Sequence, residues 1–166
     1  MKISIIGCGN MGLIYARAFL KYNIVANKNL LLAEKNVERR DVLDKMNVGQ
    51  VTVVTDLKIA ESDIIILAVK PQDFPTMSSE LKKNIQPRNI IVSIMAGITI
   101  GTIKELLGTE NIVRAMPNSP AELGMGMTGF TCNSTLKAEQ LRKAENLLLT
   151  TGHCVFFEDE SMLDAV

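Results

Sequence analysis

The amino-acid sequence predicts an α/β fold with a doubly wound, mostly parallel sheet. Short apolar runs alternate with amphipathic stretches along all 166 residues, which is the pattern of strands joined by helical crossovers. A glycine-rich turn, IGCGNMG (6–12), directly follows the first apolar run. The run DIIILAVKP (63–71) has no polar alternation between Ile64 and Val69, as expected of a central strand buried on both faces. Together these features indicate the Rossmann type of α/β sheet.

The first half of the chain predicts strands and helices in alternation. Each strand is a short apolar run, and each helix has apolar residues at helical spacing or a capping residue at its start. The predicted order is strand 2–7, helix 11–22, strand 29–35, helix 36–46, strand 51–55, a short helix 56–63 capped by Asp56, strand 63–71, and helix 74–85 with Pro75 in its first turn.

The second half repeats this alternation and adds a loop rich in turn-forming residues. The predicted order is strand 89–97, helix 99–108 closed by Gly108, strand 111–117 ended by Pro117, a loop leading into an edge strand at 127–133, helix 136–152 and strand 153–158. Asp159 is a good N-cap, so the last residues, 159–166, predict the start of another helix.

The composition excludes several classes of protein. Lys plus Arg and Asp plus Glu are 18 each and aromatic residues make up 4 %, so neither a basic surface nor stacking platforms point to nucleic acid. Three scattered cysteines (Cys8, Cys132 and Cys154) form no disulfide framework and no metal-ligand spacing, which favours a reducing compartment. The sequence has no signal peptide and no apolar stretch of the ~18 residues that a membrane helix needs. We expect a cytoplasmic protein without a metal site.

The glycine turn has two interpretations, a plain strand-to-helix turn or a cradle for a nucleotide pyrophosphate. Its position after the first strand and before a helix favours the cradle. Gly7 would permit the tight turn, Gly9 the approach of the pyrophosphate, and Gly12 close packing of helix and strand. The start of the helix would offer unpaired N–H groups to the phosphates.

An acidic residue lies where a dinucleotide site usually binds the adenosine ribose. Glu34 ends the second strand, and an acid at this place favours a free 2′-hydroxyl and hence NAD. Lys35, Asn36, Arg39 and Arg40 follow at once. They could pair with a 2′-phosphate and favour NADP, or they could form a solvated helix face. These alternatives stay open at the level of the sequence.

Three later strands end in segments that would meet at the same edge of the sheet. They are AVKPQ (68–72), MAGI (95–98) and MPN (116–118). Ligands of open α/β sheets lie at the carboxyl ends of the strands, so we expect one cleft there rather than three unrelated turns. Arg114 in the last of these strands is either an anion contact or a structural charge.

The motifs, taken together, resemble the pyrroline-5-carboxylate reductase family. They are IGCGNMG, AVKPQ, SIMAGI (93–98), VRAMPNSP (113–120) and the closing FEDESMLDAV (157–166), in this order and spacing. The resemblance implies a dinucleotide-binding Rossmann domain at 1–158 and, at 159–166, the start of the helix that leads to the C-terminal domain. In this family that domain is a helical bundle that forms the dimer. We expect that the chain is cut or that such a domain follows Val166.

The resemblance also implies an activity, a cofactor and a set of binding residues. The family reduces 1-pyrroline-5-carboxylate, a cyclic imine, to L-proline in the last step of proline biosynthesis, with NADPH more often than NADH. A homodimer or higher oligomer would form through the absent domain. The implied cofactor-binding residues are Ile6, Gly7, Cys8, Gly9, Asn10, Met11, Gly12, Glu34, Lys35, Asn36, Thr55, Ala68, Val69, Lys70, Pro71, Met95, Ala96, Gly97 and Asn118.

The sequence departs from the family pattern in two places. The segment AEKN (33–36) stands where NADP-preferring members often have serine or asparagine beside arginine, which leaves NADPH and NADH both open. The TALSGSGP-like continuation that holds substrate is absent, so we assign no catalytic residue and expect the 166 residues alone to be inactive. The alternatives are a dehydrogenase of the β-hydroxyacid type and a stand-alone nucleotide-binding or regulatory module.

Overall fold

A computed structural model describes residues 1–118, 121 and 123–165. In this part of the chain one sheet is formed by the strands β1 Ile3–Ile6, β2 Leu30–Ala33, β3 Gln50–Thr52, β4 Ile64–Leu67, β5 Ile90–Ser93, β6 Ile112–Pro117, β7 Gly126–Cys132 and β8 Gly152–Phe156. The α-helices are α1 Asn10–Lys21, α2 Val37–Met46, α3 Phe74–Leu81, α4 Ile100–Leu107 and α5 Ala138–Leu148.

The strand order confirms the predicted doubly wound sheet. It runs β3-β2-β1-β4-β5-β6-β7-β8, with β1 to β6 parallel, β7 antiparallel to β6, and β8 parallel to β7. From β1 the chain moves outward to β2 and β3, then crosses back to β4 on the other side of β1. The loops that follow β1 and β4 therefore diverge at this switch point, where Rossmann-type sheets bind their ligands.

Both faces of the sheet carry an aliphatic core. Side chains alternate between the faces along each strand, so Ile3 and Ile5 pack with α1 and α5, whereas Ile6 packs with α3 and α4. All four residues of β4 are buried, as its unbroken apolar sequence predicts. The sheet is thus a central layer between two layers of helices.

The structure corrects several predicted elements. The segment 127–133 is not an edge strand, because β7 lies between β6 and β8 and β8 forms the edge. The helix predicted at 56–63 is a 3-10 helix, Leu57–Glu61, although Asp56 does cap it by accepting the Lys58 N–H. The closing residues form a 3-10 helix at Glu160–Ala165, and Asp159 accepts the Ser161 N–H as an N-cap would.

A buried arginine ties the closing 3-10 helix to the sheet. Arg114 on β6 is fully buried, and its Nη atoms lie 3.0 Å from Glu160 Oε1 and 2.7 Å from Asp164 Oδ1. Glu160 Oε1 also accepts the Ile100 N–H at the start of α4, at 2.7 Å. We call these four residues the Arg114 clamp. Arg114 thus acts here as a structural charge, one of the two roles that the sequence leaves open.

Candidate functional site

The glycine turn follows β1 at the switch point of the sheet. The Gly7 N–H donates to the Ala33 carbonyl of β2 at 2.9 Å, and the Ala68 N–H after β4 donates to the Ile6 carbonyl at 2.8 Å. The turn is therefore fixed on both sides by the strands that flank β1. Helix α1 begins directly after it at Asn10, with Gly9 as an N-cap that has no side chain to close the helix end.

Each of the three glycines of the turn has a different reason to lack a side chain. Gly7 has φ +90°, and a Cβ there would lie 2.7 Å from Val69 Cγ1. A Cβ on Gly12 would collide with the Gly7 carbonyl oxygen, so α1 packs directly on the turn. A Cβ on Gly9 would meet nothing within 4 Å. The space at Gly9 is therefore open for a ligand, as a phosphate cradle requires.

The carboxylate of Glu34 is fastened to the same turn. Glu34 Oε2 accepts the Cys8 N–H at 3.1 Å, and Oε1 accepts the Asn36 N–H at 3.0 Å. Arg39 Nε donates to the Cys8 carbonyl at 3.1 Å. Arg40 Nη1 donates to the Glu34 and Lys35 carbonyls, each at 2.9 Å. The start of α2 and the glycine turn thus form one connected wall.

A cleft of about 720 Å³ opens above this wall, within the size range of small-molecule sites. Its lining includes nine of the predicted cofactor-binding residues, which come from the ends of β1, β2, β3 and β4: Ile6, Gly7, Gly9, Glu34, Lys35, Thr55, Ala68, Val69 and Lys70. The structure therefore brings together residues that are far apart in the sequence, at the carboxyl edge of the sheet. Of the three strand ends predicted to share one cleft, only 68–72 contributes to this lining, and neither 95–98 nor 116–118 does.

Other predicted residues lie outside the cleft lining. Cys8 has a buried side chain, and Met95 packs in the core beside α4, so either could reach a ligand only through its backbone. Asn118 is exposed, and its Oδ1 accepts the Met127 N–H at 2.8 Å. The remaining ones are Asn10, Met11, Gly12, Asn36, Pro71, Ala96 and Gly97. Their contact with a cofactor stays a prediction.

Part of the lining has no counterpart in the sequence prediction. These residues are Ala33, Val53, Val54, Asp73, Thr76, Met77 and Glu80, and Arg40 also lines the cleft. The rule that ligands lie at the carboxyl ends of strands could have found Val53 and Val54, which follow β3. The residues of α3 that line the cleft belong to no sequence motif. They line it only because the fold turns their face of the helix towards the cleft.

Burial changes the acidity of the thiol in the glycine turn. Desolvation, with a smaller contribution from the Glu34 carboxylate, raises the pKa of Cys8 from 9.0 to about 12. The pKa of Cys154 is raised to about 11 for the same main reason. Both thiols therefore stay protonated at neutral pH, and neither is poised as a nucleophile.

The raised pKa of Cys8 predicts that the protein loses stability at high pH. Between pH 9.0 and about 12 the folded state keeps a proton that the unfolded thiol has released, so the free energy of unfolding falls as the pH rises. Urea unfolding of the wild type between pH 8 and pH 10.5 should show this fall, and Cys8→Ala should show a shallower one. The control is Cys132→Ala: burial also raises the pKa of this half-buried thiol, so the slope should become shallower, but less than with Cys8→Ala. Equal slopes for wild type and Cys8→Ala would contradict the assignment.

The described residues show neither a membrane-spanning helix nor a cluster of metal-ligating side chains. None of the helices with described positions combines the length and the apolar character needed to span a membrane. Among the same residues, no group of three or more His, Cys, Asp or Glu side chains comes together as a metal site would need.

The chain matches one family model and is similar to several known reductases. The model, described as NADP oxidoreductase coenzyme F420-dependent, matches residues 2–97, which is more than half of the chain. Pyrroline-5-carboxylate reductase of Aquifex aeolicus is 34 % identical over 168 residues, covering 99 % of this chain and 60 % of the relative.

Solved structures show the same likeness. A pyrroline-5-carboxylate reductase from Coxiella burnetii aligns with a TM-score of 0.86 and 26 % identity, covering 98 % of this chain and 60 % of that one. The pyrroline carboxylate reductase of Plasmodium falciparum, solved with NADP bound, aligns with a TM-score of 0.83 and 24 % identity over 98 % of this chain and 59 % of that one, a likeness of fold alone. The chain therefore spans about 60 % of the length of these relatives. The resemblance that the sequence motifs indicate is confirmed.

Proposed function

Because this chain belongs to the NADP oxidoreductase, coenzyme F420-dependent family, we propose that its cleft binds NADPH or NADH for the reduction of 1-pyrroline-5-carboxylate to L-proline. The similarity to pyrroline-5-carboxylate reductases extends over 99 % of the chain and supports this substrate. The relative with NADP bound supports NADPH as a cofactor, and NADH would use the same cleft.

The observation that carries the proposal is the open space at Gly9. It lies where the carboxyl end of β1 meets the uncapped first turn of α1, so a phosphate placed there would face backbone N–H groups and the positive end of the helix dipole. The cleft of about 720 Å³ then extends from this point past Glu34 on one side and Lys70 on the other. A pyrophosphate with an adenosine on the Glu34 side fits this shape.

The residues of this chain would bind and orient the cofactor. The backbone of the turn from Ile6 to Met11 would hold the pyrophosphate, and Glu34, Asn36 and Thr55 would surround the adenosine ribose. Ala68 to Pro71 and Met95 to Gly97 would line the nicotinamide side, with Asn118 near its end. When bound, the nicotinamide supplies the hydride for the imine carbon. The protein's contribution is orientation and exclusion of water, so we assign no catalytic residue among these positions.

Two expectations about the whole protein belong to the same proposal. We place it in the cytoplasm, because its three cysteines are free thiols, as a reducing compartment maintains them. We also propose the homo-oligomer that the resemblance to the reductase family implies.

Binding of a dinucleotide tests the proposal directly. A cofactor that binds only the folded state at 100 times its Kd should raise the free energy of unfolding by about 2.7 kcal/mol and the Tm by roughly 8 °C. NADPH and NADH should each raise the Tm of this chain, whereas nicotinamide mononucleotide, which lacks the adenosine half, should raise it much less. The measurement is thermal unfolding followed by circular dichroism.

The reaction needs a separate assay on the full-length protein. Oxidation of NADPH should be followed by the loss of the absorbance of the reduced nicotinamide, with 1-pyrroline-5-carboxylate as substrate and with a 3-keto acid as the control for a dehydrogenase of the β-hydroxyacid type. Turnover of the keto acid alone would overturn the proposed substrate. Absence of any Tm shift with both dinucleotides would overturn the proposed cofactor site.

A further inference from the structure

A β-turn that follows β3 forms part of the wall of the cleft. The Asp56 N–H donates to the Val53 carbonyl at 3.0 Å, which closes a four-residue turn, Val53–Asp56, that we call the β3 turn. Its first three residues line the cleft. Val53 and Thr55 are exposed, and Val54 is only half-buried. The β3 turn therefore has little core packing of its own, and its place in the ligand-free protein depends on hydrogen bonds.

A buried asparagine beyond the end of α3 holds this turn. Asn84 is 3 % exposed, and its Nδ2 donates to the Val54 carbonyl at 2.9 Å and to the Asp56 carbonyl at 3.2 Å. Asn84 is the last residue of the 3-10 helix Lys82–Asn84, which continues α3. Leu81, the last residue of α3, is fully buried in the core. Asn84 thus belongs to a well-packed element, and the β3 turn is tied to that element.

The two hydrogen bonds of Asn84 join two walls of the cleft. Helix α3 lines the cleft with Met77 and Glu80, and the β3 turn lines it with Val54. Val54 and Met77 also pack against the same core cluster. The spacing of the two walls is therefore set before a ligand arrives. A site that already has its binding conformation loses less conformational freedom on binding, and so it binds more tightly.

We propose that Asn84 is a positioning residue for the cofactor, which acts through the β3 turn and lies outside the cleft lining itself. This inference rests on the proposed function, because it assumes that a dinucleotide fills the cleft with its adenosine half beside the β3 turn. Strand β3 is the neighbour of β2, the strand that Glu34 follows. Without the two bonds the turn would populate other conformations, and the apparent Kd would rise as the binding conformation becomes rarer.

The chain offers a matched control in a second buried asparagine. Asn89 is fully buried, and its Nδ2 also donates to two carbonyls, those of Ala60 and Ser62. These carbonyls lie at the other end of the same β3–β4 connection, and none of the three residues lines the cleft. Asn89→Ala therefore removes the same kind of bonds and the same side-chain volume as Asn84→Ala, but away from the cofactor.

The experiment measures the Kd values of NADPH and NADH for this chain by titration of the reduced nicotinamide fluorescence. Asn84→Ala should raise both values by about fivefold, because the two hydrogen bonds that hold the β3 turn are lost. Asn89→Ala should leave both values within about twofold of the wild type, although the two variants should lower the Tm by similar amounts. Circular dichroism of each variant checks that it is folded.

A fragment of the cofactor locates the effect. ADP-ribose, which lacks the nicotinamide ring, should lose affinity with Asn84→Ala by the same factor as NADH does. Its affinity is measured by displacement of bound NADH. A loss of affinity for NADH without one for ADP-ribose would show that Asn84 does not act on the adenosine side, and the inference would be wrong.

A milder variant tests the same turn from its other side. Thr52 Oγ1 donates to Asp56 Oδ2, and Thr52 lies outside the cleft lining. Thr52→Val removes this bond at a half-buried position with little change of shape, and it should raise both Kd values by about threefold. If Asn84→Ala does not fold, wild-type affinity in Thr52→Val overturns the inference.

The outcomes distinguish the inference from the proposed function. If both cofactors bind the wild type, and Asn84→Ala binds them as tightly as Asn89→Ala does, the positioning role of Asn84 is wrong and the cofactor site stands. If neither dinucleotide binds the wild type, the proposed function fails, and this inference fails with it.

Discussion

Gly9→Val is expected to weaken the binding of NADPH and NADH by about 100-fold while leaving the Tm of the free protein nearly unchanged. A Cβ at this position meets nothing within 4 Å, so a side chain can begin here without a collision in the ligand-free protein. The backbone of Gly9, with φ −72° and ψ −158°, is extended and accessible to valine. The two methyl groups would fill the space that the pyrophosphate needs.

Substitutions of increasing size at Gly9 test this prediction further. Gly9→Ala adds only the Cβ and should weaken binding less than Gly9→Val does. Gly101→Val, at a position outside the cleft lining where a Cβ would make only an ordinary contact with Thr99 Oγ1 at 3.8 Å, should leave both affinities close to those of the wild type. Cofactor titration and thermal unfolding of the same samples provide the two measurements. Wild-type affinity in Gly9→Val would place the phosphates elsewhere.

Glu160→Ala is expected to lower the free energy of unfolding by about 3 kcal/mol, because it removes one of the two carboxylates that pair with the buried Arg114 guanidinium and also the acceptor of the Ile100 N–H. Arg114 is fully buried, and within the described residues its Nε has no hydrogen-bond partner. Loss of Glu160 would leave its guanidinium with Asp164, whose side chain is 59 % exposed. The Ile100 N–H at the start of α4 would lose its acceptor at the same time.

The expected fall in Tm is about 8 °C for a chain of this size. Glu160→Gln keeps an oxygen for the Ile100 N–H and should fall between the wild type and Glu160→Ala. Glu158→Ala removes an exposed carboxylate two residues away and serves as the matched control. If Glu160→Ala is no less stable than Glu158→Ala, the Arg114 clamp does not contribute as described.

The parts of the fold that could be predicted are those determined by local pattern. The unbroken apolar run of β4 indicated a strand buried on both faces, and the structure has it between β1 and β5. The reversal of β7 could not be predicted, because strand direction depends on how the chain crosses the sheet and not on the residues of the strand. The segment 57–61 forms 3-10 turns rather than an α-helix, and sequence spacing does not distinguish the two over so few residues.

The candidate site likewise has parts that the sequence predicts and parts that it does not. The glycine turn and Glu34 could be predicted, because their spacing follows from the geometry of a strand, a tight turn and a helix. The partners that hold Glu34 are the backbone N–H groups of Cys8 and Asn36, and every residue except proline has such a donor, so the sequence does not show which ones it binds. Thr76 and Glu80 could not be predicted either, because α3 reaches the cleft only through the crossover from β4.

The position of β1 in the middle of the sheet has a consequence for how the chain folds. Ile3 pairs with Leu30 on one side and with Ile64 on the other, so one edge of β1 stays without a neighbour until β4 has left the ribosome. A nascent chain that ends before β4 exposes the edge of a short strand with three isoleucines among its four residues, the kind of surface that seeds aggregation. Pairing β1 with β4 closes a long loop of the chain. We infer that this non-local pairing limits the rate of folding.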